Sequence, residues 1–139
     1  MSKVVLITGA TSGMGLETSI LLALNGYTVY AGTRGNEAEL LEKAKEKGVQ
    51  IHIVPLDVTQ THSIQQAVKS VIEKEGKIDV LVNNAGFGLL ATLEEGSDEE
   101  MFKQFDVNVF GLIKTTREVL PFMREAKSEI GRASCRERV

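Results

Sequence analysis

The chain has 139 residues, 42% of them hydrophobic and 25% charged, with 16 lysines and arginines against 19 acidic residues and a formal net charge of −3. That is the balance of one soluble globular domain, with too little basic charge to leave a nucleic-acid footprint and no repetitive or disordered tract. The longest apolar run, Ile20–Leu24, falls far short of the roughly eighteen residues that a membrane span needs, and the single cysteine, Cys135, excludes an internal disulfide and a CxxC metal site. Met1-Ser2-Lys3 leads straight into a short apolar stretch with no signal-peptide pattern, so a cytoplasmic protein is expected.

Val4–Ile7 reads as a strand buried on both faces, an unbroken apolar run. Leu16, Ile20, Leu21 and Leu24 then recur at helical spacing, and Asn25-Gly26 supplies the stop. A second strand is expected at Tyr27–Ala31. Asn36 is expected to cap a helix that carries Leu40, Leu41 and Ala44 and ends at Gly48. Ile51, Ile53 and Val54 make a third strand, which ends in Pro55-Leu56-Asp57. Thr59 or Thr61 is placed to cap the next helix, whose apolar side is Ile64, Ala67, Val68, Val71 and Ile72; Gly76 closes it and Ile78–Val82 is the fourth strand. Strands alternating with helices imply an α/β fold with a doubly wound parallel sheet, since parallel neighbours need crossovers. Ser97-Asp98-Glu99-Glu100 is a capping box that opens a long helix. Met101, Phe102, Phe105, Val109, Leu112, Ile113, Val119 and Leu120 supply its apolar side, and Met101, Phe102 and Phe105 are expected to pack into the core. Pro121 is expected to kink or end it.

Directly after the first strand stands Thr8-Gly9-Ala10-Thr11-Ser12-Gly13-Met14-Gly15, a TGxxxGxG turn running into a helix. Glycines let the backbone turn tightly and approach a pyrophosphate, and a helix start directs N–H groups at negative charge. Together with Asn83-Asn84-Ala85-Gly86 after the fourth strand, this turn resembles the short-chain dehydrogenase/reductase family in its compact subgroup. Asp57-Val58 after the third strand and Asn108 within Asp106-Val107-Asn108-Val109-Phe110-Gly111 are further matches, and the resemblance runs from residue 3 to about 128. It implies a Rossmann-like fold and hydride transfer between a nicotinamide cofactor and a small alcohol/carbonyl substrate. Carried over position by position, it implies that Gly9, Gly13 and Gly15 line the pyrophosphate and that Thr11, Ser12 and Met14 of the same turn also bind the cofactor. Asp57 and Val58 would hold the adenine, Asn84, Ala85 and Gly86 would border the ribose, and Asn108 would support a proton relay. The resemblance also implies a homo-oligomeric parent enzyme, associating in part through the long helix.

The end of the second strand bears on cofactor type. An acid there accepts hydrogen bonds from the 2′-OH of NAD, whereas an arginine pairs with the 2′-phosphate of NADP. Thr33 stands where the acid would be and Arg34 comes next, which favours NADP over NAD. His52 and His62 have no company suited to a metal or nucleophile, and no metal is expected.

The family's acid–base pair, Tyr-x-x-x-Lys, is absent: Ala31 and Arg34 stand four residues after Tyr27 and Tyr30. From Glu129 the composition shifts abruptly to Glu-Ile-Gly-Arg-Ala-Ser-Cys-Arg-Glu-Arg-Val. This string resembles the conceptual translation of a common short-read sequencing adapter, so residues 129–139 are read as a non-native tail, and Ser134 is rejected as a catalytic serine. The expectation is therefore a dinucleotide-binding part over residues 1–128, truncated after about four strands and the long helix, with little or no turnover of its own. Two alternatives stay open. One is a non-catalytic nucleotide-binding module. The other is an S-adenosylmethionine methyltransferase, although that class wants a denser glycine turn and an acid where Thr33-Arg34 stands.

Overall fold

The computed structural model describes residues 2–126 and the backbone of residues 131–134. Strands β1 (Val4–Thr8), β2 (Thr28–Thr33), β3 (His52–Pro55) and β4 (Val80–Asn83) alternate with helices α1 (Gly13–Leu24), α2 (Ala38–Glu46) and α3 (Thr61–Glu75). All strand pairs are parallel, and the order β3-β2-β1-β4-β5, with β5 at Gly131–Ser134, puts β1 in the middle, with the chain winding outward in both directions. The doubly wound sheet is the one that the alternating apolar runs and helical stretches anticipate.

Both faces of the sheet are covered, which is why β1 is apolar throughout and buried at every position. Leu6, Tyr30 and Leu81 point to one side and pack with Ile64, Val68 and Val71 of α3. Val5, Ile7, Val29 and Ala31 point to the other and pack with Leu16 and Ile20 of α1 and Leu40 of α2. Two polar ties fix the layers at the lower end of the sheet. Asp79 accepts a 2.7 Å hydrogen bond from the Val4 N–H and pairs with Lys77, and the buried Tyr30 hydroxyl donates to Glu75 at 2.7 Å while its ring stacks on His52.

Several local expectations are corrected. Asn36 does not cap α2: it sits at φ 59°, and Glu37 precedes the helix without a side-chain capping bond. Neither Thr59 nor Thr61 caps α3, whose N-cap is Gln60; the Thr59 hydroxyl is turned to Asp57 instead. Ser97 and Glu100 do form the capping box at the start of α4 (Asp98–Phe105). The long helix is then interrupted, not at Pro121 but by a π-helical turn over Asp106–Gly111, after which α5 (Leu112–Glu125) runs past Pro121 for four more residues. Its apolar stripe divides. Val119 is buried, whereas Met101, Phe102, Phe105, Val109 and Ile113 are exposed, because no element among the described residues covers that face. Finally, the sheet gains a fifth strand, β5 (Gly131–Ser134), with Ser134 in register with Asn83. Backbone ladders form without regard to side-chain identity, so a segment with no apolar pattern can still extend a sheet edge.

Candidate functional site

The site is built where β1, β2, β3 and β4 release their chains at the same end of the sheet. After β1 the chain turns at Gly9 (φ 64°), which lies so close to the β4 loop that a Cβ there would be 2.8 Å from Ala85 Cα. Gly15, two residues into α1, is tighter still: a Cβ would overlap Asn84 Nδ2 and the Gly9 carbonyl oxygen. Glycine is required at both places because no side chain fits between these loops.

Hydrogen bonds lock the approach. The hydroxyl of Thr8, buried at the tip of β1, accepts from the N–H groups of Asn84 (3.1 Å) and Ala85 (2.9 Å). In return the Asn84 side-chain amide donates to the carbonyls of Thr8 (3.1 Å) and Gly9 (2.8 Å), and Asn83 donates to Thr116 of α5 at 3.0 Å. Sequence reasoning gives Thr8 no role, although a lone polar residue ending a wholly apolar strand is the signal that marks it.

Over this floor α1 begins. Ser12, its N-cap, makes no side-chain capping bond, and its first turn contains no acidic residue. The contrast with α4 is direct, since there Ser97 and three acids, Asp98, Glu99 and Glu100, neutralise the same end. A helix start left without side-chain cap or carboxylate, beneath a glycine turn, is suited to an external anion. Thr11, Ser12, Gly13 and Met14 border it at the surface.

Beside it lies an open depression of about 400 Å³, bordered by Thr33, Arg34, Pro55, Asp57 and Ser63. Thr33 is buried and Arg34 exposed, and no carboxylate stands at the last position of β2. Asp57 is held in shape by its own loop: its Oδ1 accepts from the Thr59 N–H (2.9 Å) and hydroxyl (2.7 Å), while its N–H donates to Ser63 Oγ. Burial pushes its carboxyl up, but the two Thr59 bonds and the positive charge of Arg34 outweigh that and hold it below the ordinary carboxylate range. Asp57 therefore stays ionised, in the same depression as Arg34, the one cationic side chain that borders it among the described residues. Val58 beside it is buried.

Asn108 lies in the π-helical turn and clamps the backbone of Phe87, accepting from its N–H at 2.9 Å and donating to its carbonyl at 2.6 Å. Gly9, Gly15, Asn84, Ala85, Gly86 and Asn108 thus form one connected assembly, with Thr33, Arg34 and Asp57 in the neighbouring depression and Val58 buried after Asp57. Tyr30 and Tyr27 do not join it: Tyr30 is buried in the sheet with its hydroxyl committed to Glu75. Ser134 enters only as a backbone position in β5.

A stretch covering residues 3–132 matches the short chain dehydrogenase family. The 3-ketodihydrosphingosine reductase of Bacteroides thetaiotaomicron is 38% identical over 125 residues, which are 90% of this chain and 44% of that protein. Among solved structures, a variant of actinorhodin polyketide ketoreductase with NADPH is 36% identical with a TM-score of 0.85, over 93% of this chain and 51% of the other. An NADH-dependent reductase, A1-R′, complexed with NAD is 34% identical with a TM-score of 0.76, over 90% and 54%. The chain spans about half the length of the curated relatives it matches. With this match, the glycine turn and the doubly wound sheet, the chain belongs to the short-chain dehydrogenase/reductase family of NAD(P)-dependent oxidoreductases.

Proposed function

We propose that the chain is the dinucleotide-binding part of an oxidoreductase that moves a hydride between NADP(H) and an alcohol/carbonyl pair. The observation that carries this reading is the start of α1, free of side-chain cap and acid and set beneath the Gly9–Gly15 turn. The cofactor would supply or accept the hydride. The chain's own residues would bind and orient it: Gly9, Thr11, Ser12, Gly13, Met14 and Gly15 around the pyrophosphate, Asp57 and Val58 at the adenine, and Asn84, Ala85 and Gly86 along the ribose. Asn108 would act in support of proton transfer by fixing the loop at Phe87.

NADP is favoured over NAD by Arg34 beside the buried Thr33. A 2′-phosphate would pair with the Arg34 guanidinium, in a depression that the Asp57 and Glu37 carboxylates also border. The test is a titration with NADPH and NADH, for the unsubstituted chain and Arg34→Ala. NADPH should bind more tightly, and Arg34→Ala should weaken NADPH by about tenfold while leaving NADH nearly unchanged. Tighter NADH binding by the unsubstituted chain would overturn the assignment.

Reduction of a carbonyl also needs a proton for the oxygen, and the sequence holds no Tyr-x-x-x-Lys to give one. The 139-residue chain is therefore expected to bind cofactor without steady-state NADPH oxidation. The same absence favours a second reading, a nucleotide-binding module, should the chain be natural as it stands. We further propose that residues 129–139 are adapter-derived; long-read sequencing of the source DNA across the codons for Lys127 to Glu129 checks this. The parent enzyme is proposed to be cytoplasmic and to self-associate through the exposed Met101, Phe102 and Phe105 face. None of the described helices is long and apolar enough to cross a membrane.

A further inference from the structure

The π-helical turn Asp106–Gly111 touches both loops that border the proposed nucleotide site, and it does so through different residues. At one end Asn108 grips the Phe87 backbone and sits against Gly86, where an added Cβ would lie 3.0 Å from its Oδ1. At the other end Gly111 is pressed against the loop after β3. A Cβ at Gly111 would come within 2.7 Å of Val58 Cγ2, 2.9 Å of Val58 Cβ and 3.1 Å of the Val58 carbonyl oxygen. Gly111 and Val58 are both buried, so neither can swing aside into solvent.

One turn further on, Lys114 repeats the link by electrostatics. Its ammonium donates to the Thr59 carbonyl at 3.4 Å and lies 3.9 Å from Asp106 Oδ1, joining the first residue of the π turn to the loop that shapes Asp57. The wider turn has a geometric consequence. An extra residue in a helical turn rotates the helix after it relative to the helix before it, so residues 108 and 111 can face two separate loops.

We propose that this π-helical turn is a common buttress setting the spacing between the β3 and β4 loops, with Gly111 and Lys114 as positioning residues for the adenine half of the dinucleotide. Neither residue touches the nucleotide. They act through Val58 and Thr59, the neighbours that hold Asp57. A methyl group at 111 displaces the Val58 backbone and with it the Asp57 carboxylate, whereas loss of the Lys114 ammonium loosens the Thr59 end of the same loop.

This inference rests on the dinucleotide reading, and the test separates the two. NADPH and ADP, which carries only the adenine half, are titrated against the unsubstituted chain, Gly111→Ala, Lys114→Met and Lys114→Arg, with unliganded melting measured in parallel. Gly111→Ala should weaken both probes by the same factor, about tenfold. Lys114→Met should weaken both about threefold with its unliganded melting temperature unchanged, and Lys114→Arg, which keeps a donor, should restore them. A merely structural role would lower the melting temperature of Lys114→Met without a matching loss of ADP. Equal ADP affinity in Gly111→Ala and the unsubstituted chain overturns the inference and leaves the functional reading standing. If Gly111→Ala fails to fold, unchanged ADP affinity in Lys114→Met overturns it instead. Failure of the unsubstituted chain to bind NADPH overturns both.

Discussion

Alanine at Gly15 and at Gly13 separates two reasons for glycine that lie two residues apart. At Gly15 the added methyl overlaps Asn84 Nδ2 and the Gly9 carbonyl and reaches 3.2 Å from Ala10 Cα. Relief requires Asn84 to withdraw from the carbonyls of Thr8 and Gly9, two hydrogen bonds worth about 1 kcal/mol each. Shifting backbone in a packed turn adds about 1–3 kcal/mol. The better helix propensity of alanine returns at most about 1 kcal/mol, so the net cost is about 2–4 kcal/mol. At Gly13 an added Cβ meets nothing within 4 Å, and the cost is that of φ 54° alone, about 1 kcal/mol. Urea unfolding monitored by far-UV circular dichroism measures both, provided the slope with denaturant is unchanged. Gly15→Ala should be the less stable by about 1–3 kcal/mol, and its cost should shrink when Asn84→Ala is already present, because part of the clash is gone. Equal stability of Gly13→Ala and Gly15→Ala, or strict additivity with Asn84→Ala, would refute the reasoning.

Tyr30→Phe removes the hydroxyl that donates to Glu75. Burial, the Glu75 hydrogen bond and the Glu75 charge push the Tyr30 pKa up to about 12 from 10.0. The folded state therefore holds this proton more tightly than the unfolded chain, so its stabilisation is complete below pH 10 and is lost as pH rises towards 12. Melting temperature against pH should show that alkaline loss in the unsubstituted chain and a weaker one in Tyr30→Phe. Asp57 has the opposite sign. Its carboxyl is held below the ordinary value, so its contribution is present above pH 3.8 and is lost as pH falls through the lower folded value; Asp57→Asn should flatten the acid limb of the same profile. Ser97→Ala removes the hydroxyl that accepts from the Glu100 N–H, and hydrogen exchange at that amide should quicken while the core amides of β1 keep their protection.

Strands β1 to β4 are legible in the sequence because each is a short apolar run, a pattern that needs no knowledge of neighbours, whereas β5 has no such run. The glycine turn is legible for a similar reason, since its spacing and its place between a strand and a helix are local facts. The features that escape depend on contacts distant in sequence. Gly111 is one ordinary residue of Asp106–Gly111 until Val58 is brought against it. The π turn is invisible to a 3.6-residue count, because it arises where one helix must satisfy two loops. Thr59 has the chemistry of a helix cap, but a carboxylate two residues earlier competes for the same hydroxyl and wins. Asn36 loses its capping role to its left-handed backbone. Met101, Phe102 and Phe105 show the converse: periodicity locates an apolar face correctly, but it does not say whether anything in this chain lies against it.

The start of α1 has a further consequence, for the lifetime of the protein. Its N-cap serine makes no side-chain capping bond and its first turn carries no acid, so an anion seated there would add stabilisation that these residues do not supply. At a dinucleotide concentration about a hundred times the dissociation constant, the folded state gains about 2.7 kcal/mol over the unfolded one. Proteolysis through the open state would then slow by about the same hundredfold factor when opening is fast relative to cleavage. If the proposed site binds dinucleotide, the abundance of such a protein would follow the surrounding nucleotide pool even when no substrate is turned over.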